Sequence, residues 1–152
     1  LVLGAIKGIG EGIGLALARE GVNVALNYYD WEDSLAPLKR HFDQAGADPL
    51  VLRTNLMETD EIPALVDSVV AKYGRIDILI NNIERGGWPV VHGPYVRGQW
   101  DLEMATTLRA KWWAYTSALP HLKASGVPSS APSTSQPLHS RIPSPSLSAD
   151  AA

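Results

Sequence analysis

The sequence predicts an α/β fold, a doubly wound parallel sheet with helices on both faces. Short apolar runs alternate with helical apolar spacing four times within residues 1–125. The run IDILI at 76–80 is almost wholly apolar, as in a strand buried on both faces. A glycine-dense stretch, GIGEGIG at 8–14, joins the first run to the first helical pattern. Consecutive βα units favour parallel strands, and right-handed crossovers leave few arrangements of them.

The elements follow in order. Leu1–Leu3 is the end of a strand, and the chain reads as starting inside it, without an initiator Met, as part of a longer protein. Ile9, Ile13, Ala16 and Leu17 recur at helical spacing, and Gly21 stops that helix. Val22–Tyr28 is the second strand. Asp30 is expected to cap a helix whose face is Leu35, Leu38, Phe42 and Ala45, ended by Gly46. Leu50–Arg53 is the third strand. Ile62, Leu65, Val66, Val69 and Tyr73 share one side of the next helix, with Pro63 in its first turn and Gly74 at its end. Ile76–Ile80 is the fourth strand. After an irregular segment, Gly86–Gln99, a long helix is expected from Trp100 to Lys123, kinked or ended early by Pro120. Trp112 and Trp113 are read as core, with an interface as the second reading.

Bulk properties remove several classes of function. The chain has 152 residues, 45% apolar and 19% charged, with net charge −3 and no Lys/Arg cluster, so neither nucleic acid nor an anionic membrane is an expected partner. No apolar stretch approaches the roughly 18–20 residues that span a bilayer. There is no cysteine, which excludes disulfides, zinc–thiolate sites and a cysteine nucleophile. His41, His92, His121 and His139 are scattered without metal-ligand spacing, so no metal is expected. The expected setting is cytoplasmic, though a targeting signal upstream of Leu1 would lie outside this sequence.

Two registers of Gly-x-x-x-Gly-x-Gly fit the opening stretch: Gly4, Gly8, Gly10, or Gly8, Gly12, Gly14. A helix starting near Ile9 has about 12 residues and roughly 18 Å with which to cross the sheet, whereas a start after Gly12 leaves about two turns. The first register is therefore preferred. Gly4, Gly8 and Gly10 make a tight strand-to-helix turn that aims backbone N–H groups and the positive end of the helix dipole at one point, a phosphate site. Gly12 and Gly14 fall inside the helix, where the reason for glycine is close packing on the sheet. The Gly-x-Gly-x-x-Gly/Ala pattern is absent, as is the phosphate-loop pattern ending Gly-Lys-Ser/Thr.

With that turn placed, residues 1 to about 126 resemble the first half of the short-chain dehydrogenase/reductase family. LGAIKGIG resembles its Thr-Gly-x-x-x-Gly-Ile-Gly segment, with Leu3 in place of Thr. Asn55-Leu56 resembles the Asp-Leu/Val pair beside the adenine, and Ile80–Glu84 the Asn-Asn-Ala-Gly motif. WDLEMATTLRAKWWAYTSALPHLKASG is similar without gaps to the family's long fifth helix. The resemblance implies a Rossmann-like sheet, here truncated after about four strands and that helix. It implies a nicotinamide dinucleotide, with its pyrophosphate over Gly4, Lys7, Gly8, Ile9 and Gly10. Asn55 and Leu56 would meet the adenine, and Asn82 and Ile83 would line the ribose through backbone groups. Tyr28 stands where a carboxylate would favour NAD, and Lys7 is within reach of a 2′-phosphate, so NADP is preferred over NAD. The competing reading of Lys7 is a solvated loop lysine.

The family's chemistry is general acid catalysis by Tyr, with Lys four residues on and an orienting Ser. The five tyrosines of this chain are followed at that spacing by Glu32, Asp33, Asp77, Gln99 and Leu119. Thr107 stands in the place of the family's helix Asn, and Glu84 in that of the motif's Gly. No catalytic residue is therefore assigned. The expected activity of the family, carbonyl reduction or secondary-alcohol oxidation, is not expected of this chain alone. The alternative is a non-catalytic interaction protein that pairs with full-length relatives through the Trp100–Lys123 helix. Residues 126–152 hold eight Ser and five Pro without apolar periodicity and are expected to be a disordered tail beyond a 1–125 domain. The abrupt change after a gapless match suggests a departure of reading frame or splicing near Gly126.

Overall fold

A computed structural model describes residues 1–83 and 96–126. Its strands are β1 (Val2–Leu3), β2 (Ala25–Tyr28), β3 (Leu50–Arg53) and β4 (Ile80–Asn81), all parallel, in the order β3-β2-β1-β4. Helices α1 (Gly8–Arg19), α2 (Leu35–Gln44) and α3 (Ile62–Tyr73) follow the first three strands. The last element is one long helix. It runs as α4 (Arg97–Glu103), a π-helical segment (Met104–Arg109) and α5 (Ala110–Ala124). The parallel α/β class predicted from the βα alternation, and the Rossmann-like sheet implied by the family resemblance, are the observed ones.

Strand alternation distributes the core to two faces, because successive side chains point to opposite sides. Val2 and Leu26 join Leu38 and Phe42 under α1 and α2. Leu3 and Ala25 face the other way, toward Ile62, Leu65, Val66 and Val69 of α3 and Ala110, Ala114 and Ala118 of α5. The predicted apolar side of α3 is the buried one, and its C-terminus turns at Gly74 with φ +76°. Tyr73 locks this helix to the sheet: its hydroxyl donates to the Val24 carbonyl at 3.0 Å and accepts from the Leu50 N–H at 3.2 Å.

Several expectations are corrected. The α1 face is Gly10, Ile13, Gly14, Leu17 and Ala18, whereas Ile9 is 76% exposed and Ala16 is exposed. Ile9 lies in the first turn, which projects beyond the strand ends. Sheet pairing in β2 starts at Ala25 rather than Val22, which is exposed. Asp30 does not cap α2. Trp31 reverses the chain with φ +69°, and a 3₁₀ turn, Glu32–Ser34, leads into the helix. In the fourth run Ile76 is buried but Ile78 is 43% exposed. β4 pairs with β1 alone, and no other described strand lies against its outer side.

The long helix begins at Arg97, not Trp100, and runs through Pro120 to Ala124. Proline there removes one hydrogen bond near an exposed helix end, and the helix tolerates it. Trp112 and Trp113 are not core: they are 60% and 48% exposed. The buried positions are Ala110, Ala114 and Ala118, whose four-residue spacing brings α5 close to α3 and turns the tryptophans outward. Glu84, His92, most of the expected irregular segment and the expected disordered tail beyond Gly126 lie outside the described residues.

The two helix glycines separate. A Cβ on Gly14 would meet Leu26 Cδ2 at 2.8 Å and Phe42 Cζ at 3.3 Å, whereas a Cβ on Gly12 meets nothing within 4 Å. Close packing therefore explains Gly14 only. Gly12→Ala is expected to stabilise the chain by about 0.5–1 kcal/mol. Gly14→Ala is expected to destabilise it by about 1–3 kcal/mol through overpacking. Urea denaturation of the two variants checks the opposite signs.

Candidate functional site

The carboxyl ends of the four strands open onto one pocket of about 400 Å³. Open parallel α/β sheets place ligands at this end. Nine of the ten residues expected to hold a cofactor line it: Gly4, Lys7, Gly8, Ile9, Tyr28, Asn55, Leu56, Asn82 and Ile83. They come from the β1–α1 turn, the end of β2, the segment after β3 and the end of β4. The tenth, Gly10, lies beneath the turn rather than on the wall.

Backbone geometry explains the glycines of the turn. Gly4 and Gly8 have φ of +69° and +62°, in the left-handed region that favours glycine. A Cβ on Gly4 would stand 2.9 Å from the Asn82 carbonyl oxygen. A Cβ on Gly10 would collide with the Gly4 carbonyl, and it would stand 2.7 Å from Asn82 Nδ2 and 2.8 Å from Ala5 Cα. The turn is thus pressed against the end of β4 by residues without side chains. Asn82 fastens the two, its Nδ2 donating to the Gly4 carbonyl at 2.9 Å. Above this, α1 begins at Gly8, and Lys7 at its N-cap gives no side-chain hydrogen bond to the first turn. The leading N–H groups of the helix therefore face the pocket without a capping side chain, which suits an anionic group.

The remaining wall is set by local hydrogen bonds. Buried Asn27 spans β2 and β3, its Nδ2 donating to the carbonyls of Tyr28 and Thr54, each at 3.3 Å. Asn55 Oδ1 accepts from the Met57 N–H at 3.2 Å, so its side chain has Nδ2 left for a ligand. The Asn82 N–H is engaged by the Leu3 carbonyl at 3.2 Å, which leaves its carbonyl as the backbone group for a ligand. Thr107, in the place expected for a helix Asn, is not on the pocket wall. Its neighbour Thr106 is, buried in the π-helical segment with its hydroxyl donating to the Leu102 carbonyl at 2.8 Å. Sequence reasoning missed Thr106; the signal that could have found it is the four-residue series of small residues at 106, 110, 114 and 118. Sequence reasoning also missed Tyr29 and Trp31, which line the pocket beyond β2 together with Asp30. Among the described residues no group of His, Asp or Glu is placed to hold a metal ion, and no helix is long and apolar enough to cross a membrane.

A parallel sheet ending in a glycine-built turn, with one pocket across the strand ends, defines a Rossmann-like α/β protein. The short chain dehydrogenase family matches residues 1–129, and the chain belongs to that family. Over 82 residues it is 38% identical to the 3-oxoacyl-[acyl-carrier-protein] reductase FabG of Staphylococcus aureus, a match that covers 54% of this chain and 33% of that protein. A metagenomic short-chain oxidoreductase solved in complex with NADP is 30% identical, with a TM-score of 0.70 over 82% of this chain and 56% of its own. The NADH-dependent reductase A1-R′, solved with NAD, is 29% identical, also at TM-score 0.70, covering 82% and 52%. The chain thus spans a third to about half of the lengths of these proteins.

Proposed function

We propose that this chain binds a nicotinamide dinucleotide at the strand-end pocket. The observation that carries the reading is the bare β1–α1 turn: two glycines at positive φ and an uncapped helix start, held against β4 by Asn82. In this reading the pyrophosphate lies over Gly4, Gly8 and Ile9, with Gly10 giving the turn room. Asn55 offers Nδ2 to the adenine beside Leu56, and Asn82 and Ile83 offer backbone groups to the ribose. The dinucleotide would supply hydride chemistry; the residues of this chain bind and orient it. NADP is favoured over NAD because Tyr28 ends β2 without a carboxylate and Lys7 is at the pocket mouth. The solved relatives with NADP and with NAD support the ligand class.

The reaction of the whole protein would be carbonyl reduction or secondary-alcohol oxidation. This chain alone has no Tyr-x-x-x-Lys pair and is expected to show no turnover. Calorimetric titration with NADP and NAD tests the binding. Saturable binding, tighter for NADP, is the expected result. Tenfold tighter NAD would reverse the preference, absence of both would remove the reading, and turnover with any carbonyl would refute the catalytic part.

A second reading, pairing with full-length relatives through the 100–123 helix, is favoured by its exposed apolar residues. Trp100, Met104, Leu108 and Trp112 recur every four residues and are 56%, 38%, 57% and 60% exposed. Sizing of the chain with and without a full-length relative separates the two: association without nucleotide binding would favour this one.

A further inference from the structure

The Lys7 ammonium lies 2.9 Å from the centroid of the Trp31 ring, so the β1–α1 turn and the turn after β2 meet across the mouth of the pocket. Trp31 is the only non-glycine residue with positive φ among the described residues, and it is 61% exposed. Such a backbone state in a bulky residue is unfavourable unless its surroundings hold it, and it concentrates at ligand clamps. Two contacts hold it here: the Trp31 carbonyl accepts from the Ser34 N–H at 2.8 Å, and the ring carries Lys7. Among the described residues, Arg53 at this end is committed elsewhere. It pairs with Glu32 at 3.0 Å and donates to the Tyr29 carbonyl at 3.1 Å. Lys7 rests instead on an aromatic face, an exposed contact weaker than a charge-assisted hydrogen bond to phosphate.

We propose that Lys7 and Trp31 form a latch over the adenosine end of the pocket, opened by a phosphate monoester on the adenosine ribose. The proposal rests on the dinucleotide reading above. In the free chain the ammonium stays on the indole. A ribose phosphate takes the ammonium, and the ring is released. The latch therefore makes Trp31 both a competitor for Lys7 and a reporter of its departure.

Fluorescence and calorimetry of the whole chain with adenosine 2′,5′-bisphosphate and with ADP test this. Trp31→Asn suits the position, because Asn tolerates positive φ, and Lys7→Met keeps the aliphatic stem. The difference between the wild type and Trp31→Asn isolates the Trp31 emission. The bisphosphate is expected to change that emission and ADP to leave it unchanged. Trp31→Asn is expected to tighten the bisphosphate about two- to five-fold, the range of an exposed cation–π contact, and to leave ADP alone. Lys7→Met should weaken the bisphosphate about tenfold and remove its advantage over ADP. An equal loss of both nucleotides in Trp31→Asn would overturn the latch and make the ring a stacking wall. An equal response to ADP would assign Lys7 to the pyrophosphate and overturn it too. Bound bisphosphate without any change in Trp31 has the same consequence. If calorimetry finds no binding of either nucleotide or of NADP, the dinucleotide reading itself fails, which is a different result from a nucleotide bound under a closed latch.

Discussion

A Gly10→Val chain is expected to bind the dinucleotide about tenfold or more weakly and to lose about 3 kcal/mol of stability. The β-carbon alone would strike the Gly4 carbonyl and stand 2.7 Å from Asn82 Nδ2 and 2.8 Å from Ala5 Cα. Two of those three atoms are backbone and cannot rotate away. The third is the amide that ties β4 to the turn through its bond to the Gly4 carbonyl. Relief must therefore come from moving the turn, which separates α1 from the strand ends and disturbs the surface on which the proposed pyrophosphate rests. Affinity for NADP should fall by about tenfold or more, since a displacement worth ~1.4 kcal/mol at the site already does so. Urea denaturation and calorimetry measure the two losses. Gly12→Ala, in the same helix with open space around it, is the control. If Gly10→Val binds and melts like the parent, the turn does not depend on the close approach described above.

The glycine turn was legible because its requirement is local. A strand, a fixed spacing and a helix long enough to cross the sheet select one register; two of the glycines so chosen, Gly4 and Gly8, line the pocket and the third, Gly10, lies beneath them. β3 was legible for the same reason, with Leu50–Arg53 bounded as read. The turn after β2 was not. Nothing in the residue type announces a tryptophan with φ +69°, since tryptophan has no propensity for that backbone state. The long helix failed differently. It carries alanines on one side and aromatic residues on another, so apolar periodicity names no single face. Trp112 and Trp113 read as core, with an interface as the second reading. Close approach to α3 decided for Ala110, Ala114 and Ala118 instead. Thr107 is singled out for another reason, its match to the family's helix Asn, and that match says nothing of its neighbour Thr106.

Phe42→Ala is expected to have the largest effect on stability of any single side-chain truncation in the described core, about 3–5 kcal/mol. Phe42 is 1% exposed and is among the largest fully buried side chains. It extends from α2 into the cluster of Val2, Val24 and Leu26, and its ring edge is what a β-carbon on Gly14 would meet at 3.3 Å. Truncation opens a void where α1, α2 and the sheet come together, in a domain whose total stability is of the usual order of about 5–15 kcal/mol. Yet Phe42 is not on the wall of the strand-end pocket. Stability and affinity should therefore separate in this variant: the midpoint of unfolding falls, while the folded fraction binds NADP with unchanged affinity. A ligand that binds only the folded state at about one hundred times its Kd returns about 2.7 kcal/mol. NADP at that excess should therefore recover much of the loss in a thermal melt. Failure of NADP to raise the melting point of Phe42→Ala, in a chain that titrates normally, would mean that binding does not require the folded sheet, and the strand-end pocket could not be the site.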